Sequence, residues 1–184
     1  MSDRFQQFIA AVTSAVSASA EEPIVLPQVR AAMAALVAQD DWLPAEMAQA
    51  HPDHYQQNLL HRDPLGRFSV VSFVWGPGQQ TPIHDHLMWG VIGMLRGAEI
   101  CTPYRLLEGR PERHGDEIPI RPGDVGVVSP SLGDIHRVRN ASAETLAISI
   151  HCYGGDIGRT ERHSFTPGST EAAPFVSGYS NVPA

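Results

Sequence analysis

Cysteine is scarce in this chain of 184 residues, which contains only Cys101 and Cys152. Two cysteines so far apart in the sequence exclude a disulfide framework and a cysteine-rich zinc site. They fit a reducing compartment best, so we predict a cytoplasmic protein. A chain of this length buries enough of its surface to fold without covalent crosslinks.

Long apolar runs and clusters of like charge are also missing. No run of about 18 apolar residues occurs, which excludes a membrane-spanning helix. The 20 acidic residues outnumber the 13 basic ones, for a formal net charge of −7, and no stretch holds five or more like charges. This distribution disfavours nucleic acids and anionic membrane surfaces as partners. The sequence does not indicate an oligomeric state.

The N-terminal residues allow two interpretations. The mostly apolar stretch 8–16, followed by the small residues 17–20, resembles a short signal peptide. However, Asp3 offsets the charge of Arg4, and apolar residues recur at helical spacing. We therefore favour an amphipathic helix, whose apolar face holds Phe5, Phe8, Ile9, Val12 and Val16.

Two further helices are predicted before residue 53. After a break at 21–27, the alanine-rich stretch 29–37 has high helix propensity. Pro44 is suited to the first turn of a short third helix that runs through Ala50. The first part of the chain is therefore expected to be helical.

From Tyr55 onward the chain consists of short strand-like runs separated by some of its 16 glycines and 15 prolines. The run from Arg67 to Trp75 is rich in β-branched and aromatic residues and predicts a buried strand. Such even spacing indicates an antiparallel sandwich or barrel. Further strands are predicted at 81–88, 91–96, 98–105, 116–120, 125–129, 134–139 and 144–153.

No internal repeat or long linker divides the chain. We predict one domain over residues 1–184, with an N-terminal helical segment at 1–52 and a β-barrel at 53–166. The tail at 167–184 has little periodicity and is expected to wrap the barrel as irregular chain.

Three of the nine histidines stand in a pattern that suggests a metal site. His84 and His86 are two residues apart in a predicted strand, so their side chains leave the same face about 7 Å apart. His136 lies on a later strand that an antiparallel barrel can bring opposite them. Imidazole binds Fe, Zn, Cu or Ni, and three such ligands leave coordination positions open for a substrate and for oxygen or water.

These histidines stand in motifs that resemble those of the cupins, a family of small β-barrels. The resemblance implies a mainly β fold, a cupin-type antiparallel β-barrel or jelly roll, with short N-terminal helices. Gly90 stands where the usual fourth ligand, a glutamate, would be, which argues against oxalate-oxidase-like manganese chemistry. The first motif comprises Gly78, His84, His86, Gly90 and Gly97, and the second comprises Gly123, Pro130, Gly133, His136 and Asn140.

Among the cupins, the chain resembles the thiol dioxygenases of the cysteine dioxygenase type I family over residues 55–181, most clearly at 75–86. The resemblance implies that His84, His86 and His136 hold one Fe(II) per chain. It also implies that a small thiol carboxylate and O2 are the partners, and that the product is a sulfinic acid. Because the three ligands are uncharged, Fe(II) keeps its full charge and favours an anionic thiolate.

A second cluster lies near the end of the predicted barrel. Ser149, His151 and Tyr153 alternate along one strand and therefore project from one face. They match the family's outer-sphere triad, in which a hydrogen-bonded relay holds the tyrosine hydroxyl beside the bound thiol and O2. Without the metal motif, a strand with a satisfied polar face would be the preferred interpretation. Gly90 or Val91 replaces the cysteine that animal cysteine dioxygenases crosslink to this tyrosine, so no crosslink is expected.

Two positions suggest the substrate. Gln57 stands where animal cysteine dioxygenases carry a substrate-binding arginine, and bacterial 3-mercaptopropionate dioxygenases have glutamine there. Those bacterial enzymes supply an arginine from a later segment, which matches Arg162. An arginine fork pairs with a carboxylate through two charge-assisted hydrogen bonds. The alternative interpretation of Arg162 is an exposed surface residue.

The leading hypothesis is a mononuclear Fe(II) thiol dioxygenase that acts on 3-mercaptopropionate and is most similar to the bacterial enzymes. L-cysteine or another small thiol is the alternative substrate. Three imidazoles also suit a zinc enzyme that works through a metal-bound water. A metal-loaded cupin that only binds a small acid is the alternative outside catalysis.

Overall fold

The structure, a computed structural model, describes residues 2–183. This range contains two α-helices, one 3-10 helix and twelve β-strands. The helices are α1 (Asp3–Ala18), α2 (Glu22–Val37) and the 3-10 helix (Ala45–Ala48). The first six strands are β1 (Gln56–Arg62), β2 (Ser69–Trp75), β3 (Ile83–His84), β4 (Gly90–Arg96), β5 (Glu99–Leu107) and β6 (Arg110–Arg113). The others are β7 (Ile118–Ile120), β8 (Val125–Val128), β9 (Ile135–Asn140), β10 (Ala147–Tyr153), β11 (Arg162–Phe165) and β12 (Ala172–Phe175).

Antiparallel pairing arranges the strands in two sheets. The first has the order β1-β2-β10-β4-β8, and the second has the order β12-β11-β3-β9-β5-β6, with β7 also paired to β5. The predicted mainly β, antiparallel fold with N-terminal helices is confirmed, and its two-sheet form fits the cupin jelly roll. Within the described residues the two sheets are separate hydrogen-bonded ladders, so the barrel is not closed continuously.

The helices cover the outer face of the first sheet. In α1 the apolar side is buried as the helical spacing predicts, and Ser2 caps the helix by accepting from the Phe5 amide at 3.4 Å. The predicted break at 21–27 is wrong, because α2 already begins at Glu22. Pro23 occupies its first turn, where a missing N–H costs nothing, and burial of the Val25 to Val37 face stabilises the turns around Pro27. Neither α-helix in this range is long and apolar enough to cross a membrane.

Strand β10 shows how the first sheet separates two cores. Ile150 and Cys152 point outward into the core shared with the helices, whereas Ser149, His151 and Tyr153 point inward. Both faces of this strand are covered, and all seven of its residues are buried. The inner face is therefore where polar side chains can be brought together away from water.

Several sequence predictions differ from the structure. The strand predicted at 81–88 is confined to Ile83–His84, and the tail predicted as irregular contributes β12, which pairs with β11. Sequence patterns do not predict β1, β6, β11 or β12, because these strands are short or polar and gain their order from pairing. It remains a prediction that residues 1–184 form one cupin domain.

Candidate active site

Three histidines converge inside the fold. Antiparallel pairing places His84 of β3 directly opposite His136 of β9, and His86 follows in the loop after β3. Each pair of imidazole rings has its centroids 4.8 Å apart. The nearest nitrogen atoms of the three side chains all lie within 4.8 Å of one another, and all three residues are buried. The structure thus brings together the three residues that the sequence predicts as metal ligands.

Hydrogen bonds leave the same nitrogen of each ring free. Nδ1 of His84 lies 3.1 Å from the carbonyl oxygen of Pro82, and Nδ1 of His86 lies 3.1 Å from the carbonyl oxygen of Asp134. Because a carbonyl oxygen only accepts, both Nδ1 atoms carry the proton and both Nε2 lone pairs are available. Nδ1 of His136 lies 3.4 Å from Sγ of Cys101. Such contacts orient metal-binding imidazoles.

Burial keeps His84 and His136 neutral. Desolvation and, by a smaller amount, the neighbouring His86 lower the pKa of His84 to about 3. Desolvation also lowers the pKa of His136 well below its ordinary value, with smaller contributions from His84 and His86. Neutral imidazoles are the form that binds metal ions.

Two aspartates that the sequence analysis left without a role hold the ligand loop. The Asp134 carboxylate accepts from the amides of His86 at 3.1 Å and Leu87 at 2.9 Å. It also accepts from Nδ1 of His86 at 3.1 Å. The Asp85 carboxylate accepts from the amide of His163 at 2.7 Å and contacts its Nδ1 at 2.9 Å. Asp85 therefore ties the loop between the two histidine ligands to β11.

The predicted relay is present as a hydrogen-bonded chain. Ser149 Oγ lies 2.8 Å from His151 Nε2, and His151 Nδ1 lies 2.8 Å from the Tyr153 hydroxyl. At the far end, the indole of Trp75 donates to Ser149 Oγ at 3.3 Å. The Tyr153 ring stacks on His86 with 5.6 Å between ring centroids. The phenol therefore lies beside the metal-binding group, that is, His84, His86 and His136.

Gly90 makes room for the tyrosine. It pairs with Tyr153 across β4 and β10, and a Cβ atom at this position would lie 2.8 Å from Cε1 of the phenol. A glutamate at residue 90, as in the usual cupin ligand set, would therefore collide with the Tyr153 ring. The absence of the fourth ligand and the presence of the tyrosine are two aspects of one arrangement.

Arg162 is buried, which excludes the alternative of an exposed surface arginine. It is 3% exposed, and its guanidinium lies 4.6 Å from the Phe175 ring centroid. Nη2 donates to Ser177 Oγ at 2.8 Å, Nη1 reaches the Asp85 carbonyl at 3.4 Å, and Nε has no partner. Within residues 2–183, none of the ion pairs involves Arg162. The site therefore contains a buried cation whose direct contacts are all neutral.

Gln57 lies close to the arginine although the two residues belong to different sheets. Its Nε2 donates to Ser177 Oγ at 3.2 Å and to the Gly178 carbonyl at 2.8 Å. Ser177 is thus a shared hydrogen-bond partner of Gln57 and Arg162. Nothing in the sequence of the polar tail distinguishes Ser177 from the neighbouring serines, so local patterns do not predict this contact.

Aromatic rings pack together beside the relay, in the core on the inner face of the first sheet. The Tyr55 ring lies 4.8 Å from the Trp75 ring and 5.8 Å from the Phe73 ring, and Phe73 lies 4.5 Å from His151. Burial raises the pKa of both Tyr55 and Tyr153, while the Arg162 charge lowers the pKa of each by a smaller amount. Arg162 also lowers the pKa of His84. The guanidinium charge therefore acts on the metal-binding group and on both phenols.

A cavity of about 340 Å³ reaches His136 and His151 between mostly apolar walls from β4, β5, β7 and β8. The Glu99 side chain also lines it and is 1% exposed. Burial raises the pKa of Glu99 to about 7, although the neighbouring Ser149 and Trp75 side chains act in the opposite direction. Its Oε1 atom has no hydrogen-bond partner. No sequence pattern points to this carboxyl, because a glutamate in a strand usually faces solvent.

A family profile described as cysteine dioxygenase type I matches residues 7–164. The chain belongs to the cysteine dioxygenase type I family. All of the predicted site residues lie within the matched range, whereas Ser177 lies beyond it.

Similar proteins include cysteine dioxygenase type 1 from Danio rerio, which is 28% identical over 118 residues. This alignment covers 61% of the present chain and 56% of the fish protein. Cysteine dioxygenase type 1 from Bos taurus is 29% identical over 142 residues, which cover 73% of this chain and 67% of the bovine protein. The chain therefore spans roughly half to two thirds of the length of these relatives.

Among solved structures, oxalate oxidase in complex with the substrate analogue glycolate superposes with a TM-score of 0.50. The superposition covers 75% of this chain and 64% of the oxalate oxidase chain, at 14% sequence identity. At this level of identity the likeness concerns the fold alone.

The donor set fits the metal of the cysteine dioxygenase family, whose members depend on iron. The three-histidine site suits one metal ion, and imidazoles are ligands that Fe(II) accepts. The prediction of an iron cofactor is therefore confirmed at the level of the family and of the donor set.

Proposed function

We propose that this chain is a mononuclear iron thiol dioxygenase acting on a small mercapto acid, with 3-mercaptopropionate as the leading candidate. The observation that carries the proposal is the buried Arg162 beside three buried histidines that can hold a metal ion. Burying a cation without an anionic partner costs on the order of several kcal/mol. A substrate carboxylate would remove this cost and place a short thiol next to the metal-binding group.

In the proposed reaction, a thiol and O2 yield a sulfinate and a proton. Both oxygen atoms form new bonds to sulfur, the S–H bond is broken, and the sulfur supplies the electrons that reduce O2. No external reductant is consumed in the balance. Fe(II) held by His84, His86 and His136 would supply open coordination positions for a thiolate and for O2.

Arg162 and Gln57 orient the substrate in this scheme. The donors of Arg162 available to a carboxylate are Nη1, which has only a 3.4 Å contact with the Asp85 carbonyl, and the N–H of Nη2 that does not face Ser177. The Tyr55 and Phe73 rings offer an apolar surface to the short carbon chain. These contacts support a substrate that carries one carboxylate and one thiol a few bonds apart.

Tyr153 acts as a hydrogen-bond donor to the reacting oxygen. Burial raises its pKa, so the phenol keeps its proton at neutral pH. The Trp75 indole can only donate a hydrogen bond, so Ser149 Oγ accepts from it. The Ser149 hydroxyl can in turn donate a hydrogen bond to His151 Nε2. His151 then donates from Nδ1 to the Tyr153 oxygen, which leaves the Tyr153 hydroxyl proton free for the substrate side.

L-cysteine is the second candidate substrate, because the similar proteins are named cysteine dioxygenase type 1. Its amino group requires a polar partner of its own. Gln57 Nε2 and the Arg162 guanidinium are both hydrogen-bond donors, whereas a protonated amino group needs an acceptor, and this supports a preference for an acid without an amino group.

The test measures oxygen uptake by fully ferrous protein with 3-mercaptopropionate or L-cysteine, together with mass analysis of the product. We expect a sulfinic acid as the product and a kcat/KM that is at least about tenfold higher for 3-mercaptopropionate than for L-cysteine. The reason is that the amino group of L-cysteine would lack a polar partner, and such a mismatch lowers kcat/KM by at least this factor. Zinc-loaded protein serves as the control. A reversed ratio would assign L-cysteine. An absence of thiol-dependent uptake would exclude a dioxygenase and favour a zinc enzyme or a cupin that only binds small acids.

A further inference from the structure

We propose that the C-terminal strap, residues 176–181, is part of the substrate site and that Ser177 sets the preference for thiols that carry a carboxylate. The inference rests on the proposed function and extends it to a positioning residue. Ser177 lies outside the segment that matches the family profile, which ends at residue 164. It contacts both Gln57 and Arg162.

The strap is held along β1, the edge strand of the first sheet. The Ser180 amide donates to the Gln57 carbonyl at 2.8 Å, and Ser180 Oγ accepts from the Gln57 amide at 2.9 Å. The Asn181 side chain accepts from the Leu59 amide at 2.8 Å and donates to the Leu59 carbonyl at 3.0 Å. The backbone groups of an otherwise unpaired strand edge are thereby satisfied, and this fixes the strap in position.

A second attachment holds the beginning of the strap. The Gly178 amide donates to the Gly158 carbonyl at 3.0 Å, and the Tyr179 hydroxyl accepts from the Gly158 amide at 3.1 Å. The same hydroxyl donates to the Asp156 carboxylate. Ser177 thus lies between β12, which pairs with β11, and these attachments, so its hydroxyl has little freedom to move.

The Ser177 hydroxyl accepts from both residues that we propose to bind the substrate. Its Oγ is 2.8 Å from Nη2 of Arg162 and 3.2 Å from Nε2 of Gln57. Its own proton points toward the Ile157 carbonyl, 3.4 Å away. Because the hydroxyl is neutral, it fixes the orientation of the guanidinium without neutralising its charge. The positive charge is therefore preserved for an anion.

This arrangement assigns different donors of Arg162 to different partners. Ser177 occupies Nη2, whereas Nε has no partner and Nη1 has only a 3.4 Å contact with Asp85. Loss of the Ser177 hydroxyl would free the guanidinium to turn and would remove one partner of Gln57. The expected consequence is weaker binding of the carboxylate with little effect on the metal-binding histidines.

The experiment compares Ser177→Ala with Ser177→Thr, which retains a hydroxyl, and with Ser169→Ala, a control elsewhere in the tail. Oxygen uptake gives kcat/KM for 3-mercaptopropionate and for 2-mercaptoethanol, a neutral thiol. Calorimetry gives the Kd of 3-mercaptopropionate for metal-free protein under anaerobic conditions. We expect Ser177→Ala to lower the acid-to-neutral ratio of kcat/KM about 5- to 20-fold and to weaken the Kd similarly, as loss of a hydrogen bond to a charged group does. Ser177→Thr and Ser169→Ala should remain close to wild type.

Two results would overturn the proposal while leaving the proposed function intact. The first is an unchanged ratio and Kd in Ser177→Ala. The second is an equal loss for both thiols, which would indicate a purely structural role. Wild-type protein that binds 3-mercaptopropionate without turnover, with weaker binding in Ser177→Ala, would instead support the strap and remove the dioxygenase function.

Discussion

The two halves of the candidate site are built in different ways. The metal-binding half rests on paired strands, with His84 opposite His136 and the relay along β10. The substrate half rests on contacts between distant segments, since Gln57 and Ser177 are 120 residues apart in the chain. Strand pairing makes the first half rigid, whereas the second depends on how the tail docks. Substitutions in the first half should therefore abolish turnover, and those in the second should change substrate preference.

The largest effect is expected from His136→Ala, which breaks the metal-binding half. Removing one of three ligands should weaken iron binding by at least about 100-fold, since even outer-shell changes cost 10- to 100-fold. Turnover should be lost with it. Iron content per chain after loading and desalting is the measurement. His114→Ala, which replaces an exposed histidine, is the matched control. Full iron content in His136→Ala would contradict the ligand assignment.

A smaller effect is expected from Tyr153→Phe, which keeps the metal-binding group and removes the end of the relay. The kcat should fall about 100-fold, as is usual for loss of a positioned proton donor, with little change in thiol affinity. Steady-state kinetics and anaerobic binding separate the two quantities. Unchanged turnover would show that the Ser149, His151 and Tyr153 chain is only structural.

Arg162→Lys tests the substrate half. Lysine keeps the charge but cannot form the arginine fork, so kcat/KM for 3-mercaptopropionate should fall about 10- to 100-fold, mainly through KM. Iron content should stay at the wild-type level. Arg159→Lys is the control, because Arg159 is exposed and makes its ion pair with Asp156. A fall confined to kcat would contradict the distinction between the two halves.

The smallest effect concerns the pH dependence of stability. Burial raises the pKa of Glu99 to about 7, from 4.5 for an ordinary glutamate. Between these pH values the folded chain retains a proton that the unfolded chain releases, so the free energy of unfolding falls as pH rises. Glu99→Gln removes this contribution. As the pH rises from 5 to 7.5, the Tm of metal-free wild type should therefore decrease by a few degrees relative to the Tm of Glu99→Gln.

The Tm comparison for Glu99 uses the difference between two proteins, so the histidines, which titrate in both, cancel. Glu112→Gln replaces an exposed glutamate and should show no pH-dependent difference. Parallel curves for wild type and Glu99→Gln would show that Glu99 is ionised over the whole range.

The predictability of the site follows the same division. His84 and His86 could be recognised from their spacing and the motif, although β3 ends at His84 and the second histidine lies in a loop. The alternation of Ser149 and His151 predicts a common face, and the structure has both pointing inward. Arg162 required the family resemblance, because β11 is too short and polar to show periodicity.

Other contacts could not be predicted from local patterns. Asp134 accepts from three donors of the ligand loop, yet in the sequence it is one of 20 acidic residues. Ser177 likewise resembles every other serine of the tail. Their roles depend on which distant donors are within about 3 Å, and loop paths set this distance without leaving a periodic signal.

The sequence by itself determined which neighbouring side chains share a face, because the backbone geometry of a strand repeats every two residues. It also determined, through the motif, which imidazoles are candidates for metal binding. Only the tertiary structure decided that Ser177 meets Gln57 and Arg162 and that Glu99 is buried without a cation. These outcomes depend on the packing of segments far apart in the chain, and such packing is a property of the whole fold rather than of any local stretch.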